Sequence, residues 1–160
     1  MKLKGGGNMY SKLVIPELVF FRESFDDQED FFKEVSKKLL ELGYVTEGYF
    51  KAVVEREVSY PTGLALENIS IAIPHTNPEF IVKPFIAAYH LTNTVAFTQM
   101  ATQDVTIQSE LILALGIKEP QEQVGMLSKI IEVLNDPEFV KEYQSLSNQE
   151  QLVKLLKSKF

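Results

Sequence analysis

Ile71-Ala72-Ile73-Pro74-His75-Thr76 is the stretch best equipped for chemistry. An apolar run of strand character stops at a proline, and the next residue is a histidine, one of two in the chain. Proline lacks a backbone N–H and pushes the residue before it toward extended geometry, so a strand should end at Pro74 rather than turn into a helix. His75 would then stand at the rim of a sheet on a rigid support. Thr76 and Asn77 place a hydroxyl, an amide and backbone N–H groups beside the imidazole, all able to bind an oxyanion. No carboxylate adjoins His75 in sequence, so its own segment does not oppose a dianion. Arg56 is one of two arginines, and its planar fork suits phosphate oxygens.

Each of these residues also has a plainer explanation. A strand-end histidine bonded to nearby backbone is commoner than a reactive one. Arg56 could close a surface ion pair with Glu55, Glu57 or a distant acid. Glu55 and Glu57 read as solvated flanks of a helix end rather than as an acid/base pair.

Composition bounds the alternatives. The chain has 160 residues, 45% hydrophobic and 24% charged, which suits one domain with one core. Sixteen Lys plus Arg against twenty-two Asp plus Glu give a net charge of -6, which argues against nucleic-acid and anionic-lipid partners. There is no cysteine, so thiolate zinc, disulfides and a cysteine nucleophile are excluded. The two histidines do not have the spacing of a helical zinc motif, and no carboxylate cluster joins either, so neither metal nor cofactor is expected. Gly-rich phosphate loops, the dinucleotide fingerprint and the serine-hydrolase elbow are all absent. No apolar run approaches the ~20 residues of a membrane span. Residues 1–8, with Gly5-Gly6-Gly7, read as a flexible leader without a secretory signal, and 9–160 as a single domain of a cytoplasmic protein.

The elements that would position the site are mostly legible. Leu18–Phe21 suits a first strand. Ser24 ahead of an acidic turn starts a helix carrying Phe31, Phe32, Val35, Leu39 and Leu42 at helical spacing, and Gly43 stops it. Thr46 caps a second helix with Tyr49, Phe50, Val53 and Val54 on one face, running to about Glu57. Five prolines and glycines between 61 and 84 then exclude helix. Strands are expected at Ile69–Ile73, Phe85–Leu91 and, weakly, Thr94–Gln99. Val105–Leu115 ends in an apolar run that suits a central strand buried on both faces. Pro120 fits the first turn of a helix with Val124, Leu127, Ile130, Ile131 and Leu134 inside. Asp136-Pro137 starts a short helix, and Ser147 to Glu150 matches a capping box before a last one. The fold class is therefore α/β or α+β, a mixed β-sheet flanked by helices.

The ordered set Glu55-Arg56-Glu57, Pro61-Thr62-Gly63 and Ile71-Ala72-Ile73-Pro74-His75 resembles the fructose/mannitol-type IIA domain of the bacterial phosphoenolpyruvate-dependent sugar phosphotransferase system. The likeness runs from about Leu18 to Leu156. It implies that His75 is the phosphorylated histidine and that Arg56 is the arginine stabilising the phosphoryl group. It implies a phosphoryl carrier, taking the group from the phosphocarrier HPr and passing it to a cysteine of a IIB component, beside a membrane IIC. One departure stands out: members of the mannitol and fructose types carry a second histidine where this chain has Gln123, a possible oxygen donor without charge. Thr76 is a further possible donor. Glutamines in that segment, with the Pro-Thr-Gly and Ile-Ala-Ile-Pro-His strings, resemble galactitol members most closely. The same domain type also serves in nitrogen-related and regulator-associated branches, where His75 phosphorylation would control partner binding instead. His90 does not match the second histidine and reads as structural. Leu64, Phe80 and Ile81 are candidate docking contacts around His75, although ordinary packing would explain them too.

Overall fold

The computed structural model describes residues 9–160, so the expected leader lies outside the described residues. The chain runs β1 (Val14–Glu23), α1 (Gln28–Glu41), α2 (Tyr49–Ser59), β2 (Gly63–Ala65), β3 (Ser70–Ala72), β4 (Phe85–Thr98), β5 (Thr106–Gly116), α3 (Gln123–Leu134), α4 (Pro137–Gln144) and α5 (Gln149–Lys159). The five strands form one mixed sheet in the order β1-β4-β5-β3-β2. β1 runs parallel to β4, β4 antiparallel to β5, β5 parallel to β3, and β3 antiparallel to β2.

β5 is the strand on which the two faces of the core are built. Successive side chains of a strand point to opposite faces, so a run of apolar residues can feed two layers at once. Leu111, Leu113 and Leu115 pack with Met126, Ile130, Leu152 and Leu156 of α3 and α5. Ile112 and Ala114 face the other way, into Phe31, Phe32, Val35, Leu39, Tyr49 and Val53 of α1 and α2. The sheet is thus sandwiched between an N-terminal helix pair and a C-terminal helix trio.

Several local details differ from the sequence-based expectation, each for an identifiable reason. The two strands expected at 85–91 and 94–99 are one strand, β4, with a register shift between His90 and Val95. The exposed Thr92, Asn93 and Thr94 at that irregularity break the apolar pattern without ending the strand. α1 is capped by Asp27, whose carboxylate accepts from the Asp30 N–H at 2.8 Å, while the Asp30 carboxylate accepts from the Asp26 N–H. Ser24 instead accepts from the Asn93 amide. Thr46 contributes only its backbone carbonyl to the start of α2, because the cap position falls on Gly48. α3 buries Met126, Ile130, Val133 and Leu134, and Val124 is 75% exposed. The apolar arc of that helix spans about half its circumference, so two overlapping stripes have helical spacing and pattern does not choose between them. The last cap is Asn148, one residue later than expected, accepting from the Gln151 N–H.

Gly43 has φ +83° and ends α1 as expected, a conformation that favours glycine. Gly63 is needed for a different reason. It opens β2 against β3, and its carbonyl accepts from the Met100 N–H at 2.7 Å. A Cβ there would lie 2.7 Å from the Thr98 carbonyl oxygen and 3.0 Å from the Ile107 side chain. Backbone cannot yield as a side chain does, so Gly63→Ala is expected to destabilise the fold by about 1–3 kcal/mol, measured as a lower urea midpoint at unchanged m-value.

Candidate active site

The loop carrying His75 is tied to the central strand. β3 ends at Ala72, but His75 still forms a parallel bridge to Leu115, and the Leu115 N–H donates to the Pro74 carbonyl at 3.0 Å. On the other side the Ile73 N–H donates to the Thr62 carbonyl at 3.2 Å. The backbone before the imidazole is therefore held from both flanks.

The ring itself is oriented by one bond. Nδ1 of His75 lies 2.8 Å from the Ile73 carbonyl oxygen. A carbonyl only accepts, so Nδ1 carries the hydrogen and, in the neutral ring, Nε2 keeps the lone pair. Nε2 has no hydrogen-bond partner among the described residues. His75 is 5% exposed. Burial holds its pKa below the ordinary histidine value, the Arg56 charge adds to that depression, and the bond to Ile73 opposes it. At neutral pH the imidazole is uncharged, the form in which it is a nucleophile.

Arg56 is in the last turn of α2. Its Nη1 donates to the Asn77 Oδ1 at 3.1 Å, and its guanidinium carbon lies 5.2 Å from the Tyr60 ring centroid. Its Nε is buried without a partner. The ordinary ion pair considered for it does not form: the salt bridges among the described residues are Lys33–Glu29 and Lys129–Glu132. A cleft of about 570 Å³ opens beside it, lined by Lys51, Glu55, Arg56, Tyr60, Asn77 and Phe80 among others.

Glu57 is the residue that sequence reasoning misplaced. It is buried, not a solvated flank, and its carboxylate turns inward to Thr62. It accepts from the Thr62 N–H at 2.7 Å and from the Thr62 hydroxyl at 2.8 and 3.1 Å. Burial pushes its carboxyl up to about 7, against the opposing pull of the Thr62 bonds and Arg56. A signal was available: Tyr49, Val53 and Glu57 are spaced four apart, so Glu57 falls on the inner stripe of α2.

The other sequence-derived positions fall unevenly. Thr76 is buried, and its hydroxyl donates to the Asn77 carbonyl at 3.0 Å, so its hydrogen is already committed. Gln123 opens α3, half-buried, and makes no hydrogen bond to the His75 loop; it does not line the cleft beside Arg56. Leu64 and Phe80 are half-buried, whereas Ile81 is a core residue at 2% exposure and offers no docking surface. Tyr60 and Val58, at the end of α2, are instead the exposed apolar groups near Arg56. His90 lies in β4, where its Nδ1 accepts from the Arg22 N–H at 3.1 Å and its ring stacks on Phe21. Among the described residues no group of three or more His, Asp or Glu side chains could hold a metal, and no helix is long and apolar enough to cross a membrane.

Residues 12–159 match the family described as Phosphoenolpyruvate-dependent sugar phosphotransferase system, EIIA 2. The chain belongs to this family. It is 32% identical over 117 residues to the galactitol-specific EIIA component of the phosphotransferase system of Escherichia coli K12, covering 73% of this chain and 77% of that protein. Its fold is that of solved IIA domains. Mannitol IIA from Escherichia coli superposes with a TM-score of 0.69 at 19% identity, over 98% of this chain and 99% of the other. The nitrogen regulatory protein IIA-Ntr from Neisseria meningitidis gives 0.72 at 17% identity, over 92% and 99%. The same IIA fold, solved in the complex of IIA and phosphorylated IIB for mannitol from Escherichia coli, gives 0.71 at 19% identity, over 99% of both chains. The mixed sheet flanked by helices is thus the EIIA fold, and the chain is a component of the phosphotransferase kind.

Two measurements follow from the electrostatics of this EIIA site. NMR titration of the ring carbons should give midpoints below 6.5 for both His75 and His90, since burial disfavours the cation at each. For Glu57 the carboxyl rises from 4.5 to about 7 on folding, so between these values the folded state holds a proton that the unfolded chain releases. Stability then falls as pH rises. Relative to Glu57→Gln, which does not titrate, the wild type should lose up to ~3 kcal/mol between pH 4.5 and 7, read by urea unfolding at several pH values.

Proposed function

We propose that His75 is the phosphorylated residue, taking the group from phospho-HPr and passing it to a cysteine of a IIB component for uptake of galactitol or a related polyol. The observation that carries this is the bond from Nδ1 to the Ile73 carbonyl, which leaves Nε2 as the unprotonated nitrogen of a neutral ring. The 32% identity to galactitol-specific EIIA supports the choice of sugar class.

The transfer asks for no proton movement within this chain. The Nε2 lone pair attacks phosphorus in line, the donor's P–N bond breaks, and the donor imidazole leaves neutral. The His75 ring becomes cationic, and its Nδ1–H keeps donating to Ile73, now as a charge-assisted bond. In the second step a thiolate sulfur of IIB attacks phosphorus, the P–Nε2 bond breaks and His75 is neutral again. Charge on the equatorial oxygens is met by the Arg56 guanidinium, which has no acidic partner to displace among the described residues. Pro74 and the two flanking backbone bonds restrict the loop, which favours positioning over acid–base work. Gln123 would contribute an amide donor only by turning toward the phosphoryl group.

The test is reconstitution with phosphoenolpyruvate, Enzyme I and HPr. The wild type should acquire an acid-labile, base-stable phosphate; His75→Ala should acquire none while keeping its circular dichroism. Arg56→Ala should accept phosphate ~10³-fold more slowly. Label persisting in His75→Ala would remove this histidine from the reaction. Offering IIB proteins of different sugar classes then separates transport from a regulatory role, in which phosphate would be accepted and passed to none.

A further inference from the structure

We propose that Glu57 is a positioning residue for His75, acting through Thr62 and Ile73 to hold the ring in the Nδ1–H form. The path is continuous: the Glu57 carboxylate takes the Thr62 N–H and hydroxyl, the Thr62 carbonyl takes the Ile73 N–H, and the Ile73 carbonyl takes the His75 Nδ1–H. In an extended segment the N–H and C=O of one residue point to the same side, so fixing the Ile73 N–H also aims its carbonyl. The opposite flank of the loop is held by backbone alone, through Leu115 and Pro74. Glu57 is therefore the tether that a side chain supplies.

The geometry also explains why glutamate is used. Both oxygens of the buried Glu57 are engaged by one residue five positions on, so an aspartate would fall about one methylene short. Glutamine keeps the length, can accept from the Thr62 N–H, and can donate to its hydroxyl. Neighbouring helix positions point about 100° apart, so the acid turned inward leaves Arg56 unpaired toward the cleft.

The proposal rests on His75 being the reacting residue only in its kinetic arm. The structural arm is nitrogen NMR of histidine-labelled, unphosphorylated protein. In the wild type and Glu57→Gln, the His75 Nδ1 should carry the hydrogen; in Glu57→Ala and Glu57→Asp, the two tautomers should mix. His90 signals should stay unchanged throughout as the internal control. In the reconstituted assay Glu57→Ala should accept phosphate roughly 10- to 100-fold more slowly, with Glu57→Gln restoring most of the rate. A folded Glu57→Ala with wild-type His75 signals would overturn the proposal, whatever the assay shows. If Glu57→Ala does not fold, Thr62→Val decides: it drops the hydroxyl bonds and keeps the backbone ones, so the His75 signals should move the same way by less, and unmoved signals overturn the proposal. A wild type that takes no phosphate would refute the role of His75 while leaving the NMR result to judge Glu57.

Discussion

A carbonyl oxygen can accept a hydrogen bond and cannot donate one. That asymmetry, applied at Ile73, decides which nitrogen of His75 is free. The backbone bonds on either flank of the loop keep the Ile73 carbonyl and the ring in that relation. Pro74 removes an N–H that would otherwise need a partner between them, and its own carbonyl is taken by Leu115 of the most buried strand. The His75 loop is thus anchored to the core. Its placement costs little extra order, because β5 is already held on both faces by apolar packing.

α2 is the second support, and it works by dividing its two last-turn charges between two faces. Arg56 goes to the cleft side and bonds Asn77; Glu57 goes to the core side and bonds Thr62. Had they paired with one another, the cation would be neutralised before any phosphoryl group arrived. The desolvation of Glu57 is partly offset by two donors of one residue, the Thr62 N–H and its hydroxyl, whose single hydrogen is shared between the two oxygens. Burial raises the Glu57 carboxyl and lowers the His75 imidazole, because at each it disfavours the charged form.

The family comparisons bear on these details only at the level of fold and class. Likeness to the mannitol and nitrogen-regulatory IIA structures lies below 20% identity, so what it shows is the fold. Gln123, at the start of α3, lies outside the hydrogen bonds of the His75 loop and outside the lining of the cleft beside Arg56. Its amide brings no positive charge, whereas Arg56 is a cation whose charge acts on the His75 ring.

Much of the architecture could be read from residue order because it depends on local rules. The apolar run ending at Leu115 is buried on both faces, Gly43 stops α1 in a left-handed conformation, and Asp136-Pro137 starts α4. Pro74 keeps its segment extended rather than helical for a reason contained in its own ring. The ordered motifs around Arg56, Thr62 and His75 likewise sufficed to place the chain in its family. What residue order left open was everything decided between distant segments. Whether Glu57 faced water or Thr62, whether Arg56 found an acid, which stripe of α3 lay inside and whether Ile81 was surface or core all depend on which neighbour arrives across space. Hydrogen bonds and burial are properties of pairs. A chain written in one dimension names the partners but does not say which of them meet.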